Sequence, residues 1–218
     1  MPRLARVTVK DLPHHVTQRG NRRQPVFFRN EDRQLYLRIL LEQRQKYGVD
    51  IWAYCLMDNH VHFIAVPHQE DSLARTFGET HRRYTTIVNK REGWTGYLWQ
   101  GRFASFPLDE AHLLAAIRYV ERNPVEAGLV QRAEDFPWSS AKTRVKGIPD
   151  SILSQHFLTE QIQNWAEFLR KPQDDFSKTF ERHSRTGRPF GAREFVIRLE
   201  RLTGRNLQKQ QAGRKKKK

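Results

Sequence analysis

Two histidines with a single residue between them lie within the apolar stretch CLMDNHVHFIAVP, which is typical of a buried β-strand. Residues two apart in a strand project from the same face, so His60 and His62 would point together while Val61 and Phe63 face the other side. Neutral imidazoles presented side by side can form half of a divalent metal site. The alternative is a pair of partly buried histidines that are hydrogen-bonded to their neighbours, so a metal site would require a further ligand.

A tyrosine and an asparagine in the sequence RYVERNP could complete such a site. Tyr119 and Asn123 are four residues apart in a predicted helix, which stacks them on one side about 6 Å apart along the axis. Tyr119 lies off the apolar stripe of this helix, which consists of Leu113, Ile117 and Val120. A tyrosine hydroxyl can attack a phosphodiester and hold the phosphate as a covalent ester, and Asn123 could give a metal a neutral oxygen ligand. Tyr84, by contrast, falls on a continuous apolar face of another predicted helix and is expected to be a core residue.

The elements that would carry these residues follow in the order strand, helix, strand, strand, helix, strand, helix. The first strand is HHVTQRGN, and the next two, VDIWAYCLM and HVHFIAVP, are joined by an Asp58-Asn59 turn. This order predicts an α+β fold, namely a ferredoxin-like antiparallel sheet (βαββαβ plus an extra helix) with helices on one face. We expect Asn30 to cap the first helix, Asp109 to cap the third, and Asn123-Pro124 to end the third.

The chain changes character after the sequence DFPWSSA, and we predict two regions. Residues 1–145 would form the domain that contains the histidines and the tyrosine. Residues 146–218 would form a helical, basic C-terminal extension, with helices near TEQIQNWAEFLR and GAREFVIRLERLTG. The stretch from Arg201 to Lys218 carries eight basic residues and no acidic one, and its end, GRKKKK, is expected to be disordered.

The charge balance of the chain points to a polyanionic partner. Lys and Arg number 39 against 24 Asp and Glu, for a formal net charge of +15, and such an excess favours contacts with phosphates. The single cysteine excludes an intrachain disulfide, and the absence of an apolar run of about 18 residues argues against a membrane span. A cytoplasmic, nucleoid-associated location is therefore expected.

Candidate DNA-binding residues combine positive charge with an aromatic ring, which suits phosphates and bases respectively. For the candidates that precede the C-terminal lysines, the alternative is an exposed charge that lies above buried aromatic side chains. The candidates are Arg19, Arg22, Arg23, Trp99, Arg102, Lys215, Lys216, Lys217 and Lys218.

Several segments together resemble the single-tyrosine HUH transposases, and in particular their REP-associated tyrosine transposase branch. The matching segments are HHVTQRGNRRQPVFF, YCLMDNHVHFIAVP, GYLWQGRFASF, RYVERNPVEAGLV and DFPWSSA, which cover about residues 13 to 141 in the family's order. The stretch after about residue 145 lies outside these motifs, so its role in contacting DNA is inferred from charge alone.

The resemblance implies a single-stranded DNA endonuclease and strand transferase. By that resemblance His60 and His62 match the metal ligands, Tyr119 matches the nucleophile, and Asn123 matches the polar residue that completes the metal site. The ion implied is Mg²⁺ or Mn²⁺. The family cleaves hairpins of repetitive extragenic palindromes (REP), leaves a 5′-phosphotyrosine and a free 3′-OH, and later rejoins strands.

Other functions stay open at the level of the sequence. A ferredoxin-like sheet can also serve as a catalytically inactive DNA- or RNA-binding module, and a basic ribosome-associated protein would not need the four proposed site residues. The sequence also leaves open whether the protein is a monomer or a homodimer, and whether Tyr119 serves its own active site or a partner's.

Overall fold

The computed structural model describes residues 6–155, 161–171 and 176–208. The strands within these ranges are β1 (His14–Arg19), β2 (Val49–Met57), β3 (His60–Pro67) and β4 (Ala104–Pro107). The α-helices are α1 (Asn30–Tyr47), α2 (Ser72–Glu92), α3 (Glu110–Glu126), α4 (Ala141–Lys146), α5 (Trp165–Arg170), α6 (Phe176–Thr186) and α7 (Arg193–Thr203). Short 3₁₀ helices cover Asn21–Arg23 and Ala133–Asp135.

The strands form one antiparallel sheet in the order β2-β3-β1-β4. The element order, β1-α1-β2-β3-α2-β4 followed by α3, confirms the predicted α+β, ferredoxin-like class. The β2–β3 hairpin turns at Asp58-Asn59 as predicted, because Met57 ends one strand and His60 begins the next.

Alternation along β3 divides its side chains between the two faces of the sheet. Val61 and Phe63 are fully buried in a core that also contains Tyr36 of α1 and Phe77 of α2. His60 and His62 therefore belong to the opposite face, as their spacing predicts.

A second apolar core lies on the face of the histidines. Helix α3 packs there against Ile64 and Phe106 of the sheet, through its predicted stripe of Leu113, Ile117 and Val120. The expectation that helices cover one face of the sheet is thus corrected: α1 and α2 cover one face, and α3 covers the other. The physical reason is that the strands are apolar on both sides, so both sides require burial.

The starts of two helices are fixed by carboxylates. Asp109 caps α3 as predicted, because its side chain accepts a 3.0 Å hydrogen bond from the backbone N–H of His112. Asn30 does not cap α1, because it is already helical and Arg29 holds the capping position. Asp32 acts there instead, since its carboxylate accepts the backbone N–H of Arg29 at 3.2 Å.

Helix α3 ends later than predicted. It continues through Asn123-Pro124 to Glu126. A proline lacks the backbone donor of a helical residue and its ring crowds the preceding turn, but the turn that follows Pro124 is still closed, because the N–H of Ala127 donates to the Asn123 carbonyl at 3.0 Å. Asn123 therefore lies within a formed turn rather than at a fraying end.

The C-terminal elements pack on the α3 side and on the N-terminal segment. Trp165 of α5 and Phe180 of α6 are buried in the core that contains α3. Phe195 and Leu199 of α7 form a smaller cluster with Val7. The predicted division of the chain at residue 145 stays a prediction.

A buried carboxylate joins α3 to α4 and α5. Glu121 is fully buried and accepts hydrogen bonds from Ser140 Oγ (2.6 Å), Arg144 Nε (3.0 Å) and Trp165 Nε1 (2.7 Å). A buried carboxylate is costly unless donors surround it, so these contacts hold the three helices in register.

Among the helices within the described ranges, none has the length and apolar character needed to cross a membrane.

Candidate active site

An open cleft of about 720 Å³ lies on the α3 side of the sheet. Its lining comes from β1, β3 and α3, with further residues from α6. Both histidines singled out from the sequence line it, together with Tyr119 and Asn123. The structure thus brings to one place four side chains that helix α2 and strand β4 separate along the chain.

The two histidines lie side by side at the start of β3, with ring centroids 4.9 Å apart. Burial lowers the pKa of His60 to about 4, with Arg19 adding to the effect and a hydrogen bond with Asn123 opposing it. Burial also holds the pKa of His62 well below its usual value, and the neighbouring His60 acts in the same direction. Both imidazoles are therefore neutral at pH 7, which is the form that binds metal ions.

Hydrogen bonds occupy one ring nitrogen of each histidine. His60 Nδ1 donates to the amide oxygen of Asn59 at 2.6 Å. His62 Nδ1 lies 2.9 Å from Nε2 of His15 on β1. With both Nδ1 atoms in hydrogen bonds, a metal ion would bind at Nε2, which requires that each ring carry its proton on Nδ1.

Tyr119 enters the cleft from α3 next to His62. Their ring centroids are 5.6 Å apart and the rings are nearly perpendicular, at 89°. On the other side Phe180 of α6 packs on the Tyr119 ring, with centroids 4.6 Å apart. The phenol ring is thereby held between β3 and α6.

The electrostatic environment keeps the Tyr119 hydroxyl protonated. Burial raises the pKa of Tyr119 to about 12, and the carboxylate of Glu181 adds to the rise. A hydrogen bond with Asn123 and the charge of Arg19 act in the opposite direction. Any use of this hydroxyl as a nucleophile therefore requires further positive charge nearby.

Asn123 is fixed one helical turn after the tyrosine. Its side-chain Nδ2 donates a 2.8 Å hydrogen bond to the backbone carbonyl of Tyr119. This contact leaves Oδ1 as the atom that the amide can offer to a metal ion. The hydrogen bond of Asn123 with His60 shows that the amide and the imidazole are neighbours.

The other tyrosines are placed differently. The chain has six tyrosines, all of them within the described ranges, and of these only Tyr119 lines the cleft. Tyr84 is fully buried and its hydroxyl donates to the backbone carbonyl of Val26 at 2.6 Å. Tyr84 is therefore a core residue, as its place on an apolar helix face indicates.

Arginines give the cleft a positive rim. Three of the predicted DNA-binding arginines line it, and α6 adds a fourth that the sequence reasoning did not single out. The charged lining residues are Arg19, Arg23, Arg102 and Arg185, against Glu126 and Glu181. This excess of positive charge suits a strand of phosphates.

The remaining candidate DNA contacts are placed elsewhere. Arg22 is exposed but outside the cleft lining. Trp99 is only 5% exposed, and its ring packs 4.5 Å from that of His81 in the core. This corrects the expectation for Trp99, because a ring covered by α1 and α2 cannot stack on a base. Lys215, Lys216, Lys217 and Lys218 lie outside the described residues.

The donor set of the cleft fits a divalent cation. Two neutral imidazole nitrogens and the amide oxygen of Asn123 are ligands that first-row divalent ions accept in proteins. Groups of three or more His, Cys, Asp or Glu side chains that could hold a metal ion are absent from the part of the chain that the structure describes.

The sequence reasoning missed the contribution of α6. Glu181, Ser184 and Arg185 of this helix line the cleft, and Phe180 packs on Tyr119. The helix is short and polar, and its contacts join residues about 60 positions apart, so local pattern alone could not place it. The sequence places His14 and His15 on alternate faces of β1, so at most one of them could point at the site, and the structure shows that His15 is the one that contacts His62.

Comparison with known proteins places these residues in a family context. The family model described as IS200-like transposase matches residues 8–123, a range that includes both histidines, Tyr119 and Asn123. A Haemophilus influenzae protein described as a REP-associated tyrosine transposase is 25% identical over 113 residues, which are 47% of this chain and 64% of that protein. The chain thus spans less than two thirds of the length of this curated relative.

A solved structure supports the same fold. A REP-associated tyrosine transposase bound to a REP hairpin is similar with a TM-score of 0.58 and 20% identity, over 72% of this chain and 93% of that chain. The family model covers more than half of the 218 residues, and the chain therefore belongs to the IS200-like transposase family.

Proposed function

We propose that this transposase cleaves and rejoins single-stranded DNA at palindromic hairpins, through a 5′-phosphotyrosine intermediate and with a divalent metal ion, Mg²⁺ or Mn²⁺. The observation that carries the proposal is the convergence of Tyr119, His60, His62 and Asn123 on one cleft with an arginine rim. Membership of a transposase family supports an enzyme that acts on DNA.

In the proposed reaction the hydroxyl oxygen of Tyr119 attacks a backbone phosphorus in line with the bond to O3′. The P–O3′ bond breaks, and the phosphate stays esterified to Tyr119 at the 5′ end of the downstream strand. The proton lost by the phenol is matched by the one that the departing O3′ gains as it becomes a 3′-OH. Attack of a 3′-OH on the phosphotyrosine reverses this exchange and rejoins two strands, so neither direction needs an external energy source.

The cleft supplies what a phenol lacks as a nucleophile. With a pKa near 12, the Tyr119 hydroxyl stays protonated at pH 7 and reacts poorly. A divalent ion held by His60, His62 and Asn123 would polarise the phosphate and add positive charge beside the phenol. Arg19 already favours the phenolate, and the hydrogen bond with Asn123 does so too.

Hairpin DNA is the proposed substrate because the structural relative is one bound to a REP hairpin. The arginines of the rim would contact backbone phosphates, and the net charge of +15 favours such contacts over the whole surface. Phosphate contacts position the strand without reading its sequence, so the bases recognised depend on other groups.

The test is a cleavage assay with two label positions. Purified protein, Mn²⁺ and a single strand with a palindromic hairpin are incubated and separated on a denaturing gel. A label at the 3′ end should migrate with the protein, because the protein retains the 5′ phosphate of the downstream fragment. A label at the 5′ end should appear in a shorter free fragment, and EDTA should abolish both products.

A strand of the same composition without the palindrome serves as the control for hairpin recognition. Tight hairpin binding without any adduct would contradict catalysis and favour a catalytically inactive DNA- or RNA-binding protein. An adduct that carries the 5′-end label would show that the polarity of attack is the reverse of the one proposed.

A further inference from the structure

His15 is a buried polar residue to which the proposed reaction assigns no role. It is 1% exposed, and its Nε2 lies 2.9 Å from Nδ1 of His62. The two rings are stacked, with centroids 5.1 Å apart and an interplanar angle of 26°. Its second nitrogen, Nδ1, is buried without a hydrogen-bond partner among the residues that the structure describes.

Aromatic rings surround the rest of the His15 side chain. Phe106 of β4 lies 5.1 Å from it and Phe180 of α6 lies 5.2 Å from it, measured between ring centroids. This packing leaves the ring little freedom to turn. The bond to His62 is therefore the polar contact that the position of His15 provides.

The shared hydrogen bond holds one proton, and its location decides what His62 can do. If the proton is on Nδ1 of His62, then Nε2 of His62 has a free lone pair and can bind a metal ion. If the proton is on Nε2 of His15, then His62 carries its own proton on Nε2 and that nitrogen cannot bind the metal. Because an imidazole is acceptor or donor according to its tautomer, His15 can set the state of His62.

We propose that His15 is a positioning residue for the metal site: its Nε2 accepts the hydrogen bond from His62 Nδ1 and thereby leaves His62 Nε2 free for the ion. This inference rests on the proposed function, because it requires a metal ion on His62. In this arrangement the proton of His15 sits on Nδ1, among the rings of Phe106 and Phe180. Partners that hold the second ring nitrogen of a metal-bound histidine fix both its tautomer and its orientation.

The first test measures binding of Mn²⁺ alone to the full-length protein, by electron paramagnetic resonance of the free ion. His15→Phe keeps a planar ring in the aromatic surroundings and removes the acceptor. Loss of such a partner typically costs roughly 10- to 100-fold in metal affinity, and we expect that loss here. His15→Gln restores an acceptor oxygen near the former Nε2, so it should recover most of the affinity.

His14→Gln is the matched control. His14 lies on the same strand and is equally buried, but it faces away from the cleft and contacts the Leu12 carbonyl at 2.8 Å. This variant should lower the melting temperature without weakening Mn²⁺ binding. If both variants lost Mn²⁺ affinity in proportion to their loss of melting temperature, the effect would be one of general stability. That result would overturn the specific role of His15.

A second readout does not depend on substitution. Long-range ¹H–¹⁵N correlation spectra of the metal-free protein should show the His62 proton on Nδ1, and a proton on Nε2 would overturn the proposal.

Two outcomes of the Mn²⁺ titration distinguish a failure of the role of His15 from a failure of the metal site itself. If His60→Ala loses the ion while His15→Phe keeps full affinity, the role of His15 is wrong and the metal site stands. If the unmodified protein binds Mn²⁺ no better than His60→Ala does, the metal site is wrong and the inference falls with it.

Discussion

Tyr119 differs from the other tyrosines of the chain in the place of its hydroxyl group. The hydroxyl of Tyr84 donates a hydrogen bond to a backbone carbonyl in the core, whereas Tyr119 lines a cleft next to His62. The sequence predicted this difference, because Tyr84 lies on an apolar helix face and Tyr119 lies off one. At the residue scale, the proposed nucleophile is thus recognisable by its departure from a packing pattern.

Replacing Tyr119 with phenylalanine removes one oxygen atom and retains the ring that packs on Phe180. We expect Tyr119→Phe to abolish the covalent adduct on a denaturing gel, because no other cleft residue offers a phenol. Hairpin affinity, measured by fluorescence anisotropy, should stay nearly unchanged, since the arginine rim is intact.

Tyr84→Phe is the matched control for this experiment. It removes the buried hydrogen bond to Val26 and should cost about 1 kcal/mol of stability, while the adduct still forms. A covalent adduct formed by Tyr119→Phe at the normal level would show that the nucleophile is another residue.

At the scale of elements, short-range pattern predicted the parts of the site that belong to β3 and α3. The alternation of His60 and His62 with Val61 and Phe63 predicted which side chains of β3 lie on each face of the sheet. A stripe of three apolar residues predicted which side of α3 packs on the sheet. Both patterns repeat within one element, so no knowledge of the fold is needed to interpret them.

Long-range packing decided the parts that the sequence did not predict. Trp99 is buried because α1 and α2 cover it, which its local sequence does not reveal. Helix α6 joins the cleft through Phe180, a contact between residues about 60 positions apart. The end of α3 was misplaced for a local reason, because Pro124 is tolerated in a last turn that other bonds close.

The start of α1 illustrates how one carboxylate can fix an element. Asp32 accepts the backbone N–H groups of Phe28 (2.9 Å) and Arg29 (3.2 Å) and pairs with Arg91 of α2. Burial by itself would raise the pKa of Asp32, but the hydrogen bonds from Arg91 and Phe28 outweigh it and lower the pKa below 3.8. Asp32 therefore links the first turn of α1 to α2 in its ionised form.

We expect Asp32→Ala to lower the free energy of unfolding at pH 7, by about 0.5–2 kcal/mol from removal of the cap alone. A carboxyl whose pKa is lower in the folded protein contributes stability that is fully present above its unfolded pKa and is lost as the pH falls through the folded value. The difference between the unmodified protein and Asp32→Ala should therefore shrink below about pH 4, as followed by urea unfolding at several pH values.

Glu31→Ala provides the comparison for that measurement. Glu31 is exposed in the same helical turn, so its loss should cost only the helix-dipole contribution, at most about 1 kcal/mol. A difference for Asp32→Ala that is constant from pH 7 to pH 3 would contradict the assigned role of the ionised carboxylate.

At the scale of the whole molecule, positive charge is the dominant property. The net charge of +15 exceeds what the cleft arginines provide. Long-range attraction of this kind speeds the encounter with DNA and weakens as salt is added. The basic end of the chain is the largest contributor outside the described residues.

Deletion of residues 213–218 removes five positive charges. We expect weaker hairpin binding and a flatter dependence of affinity on salt. The log–log slope should fall by about 0.7 for each phosphate of a single strand that the shortened protein no longer neutralises. Binding titrations at several NaCl concentrations measure both quantities.

A variant with Lys215–Lys218 replaced by glutamine keeps the length of the chain and removes most of the same charge. It should reproduce the effect of the deletion if charge is the cause. An unchanged salt slope in both variants would show that the tail does not contact phosphate.

Glu121 sets a limit on how far this chain could be shortened if the proposed cleavage activity were used in a compact tool. A fragment ending at residue 145 would retain every proposed catalytic side chain, yet it would strip the indole donor of Trp165 from a carboxylate two residues beyond Tyr119. Loss of this donor, and of the buried indole that packs in the same core, would destabilise the helix that carries Glu121. A shortened version would therefore need to keep the residues up to and including Trp165. Alternatively, both Glu121 and its ion-pair partner Arg144 would have to be replaced with apolar residues.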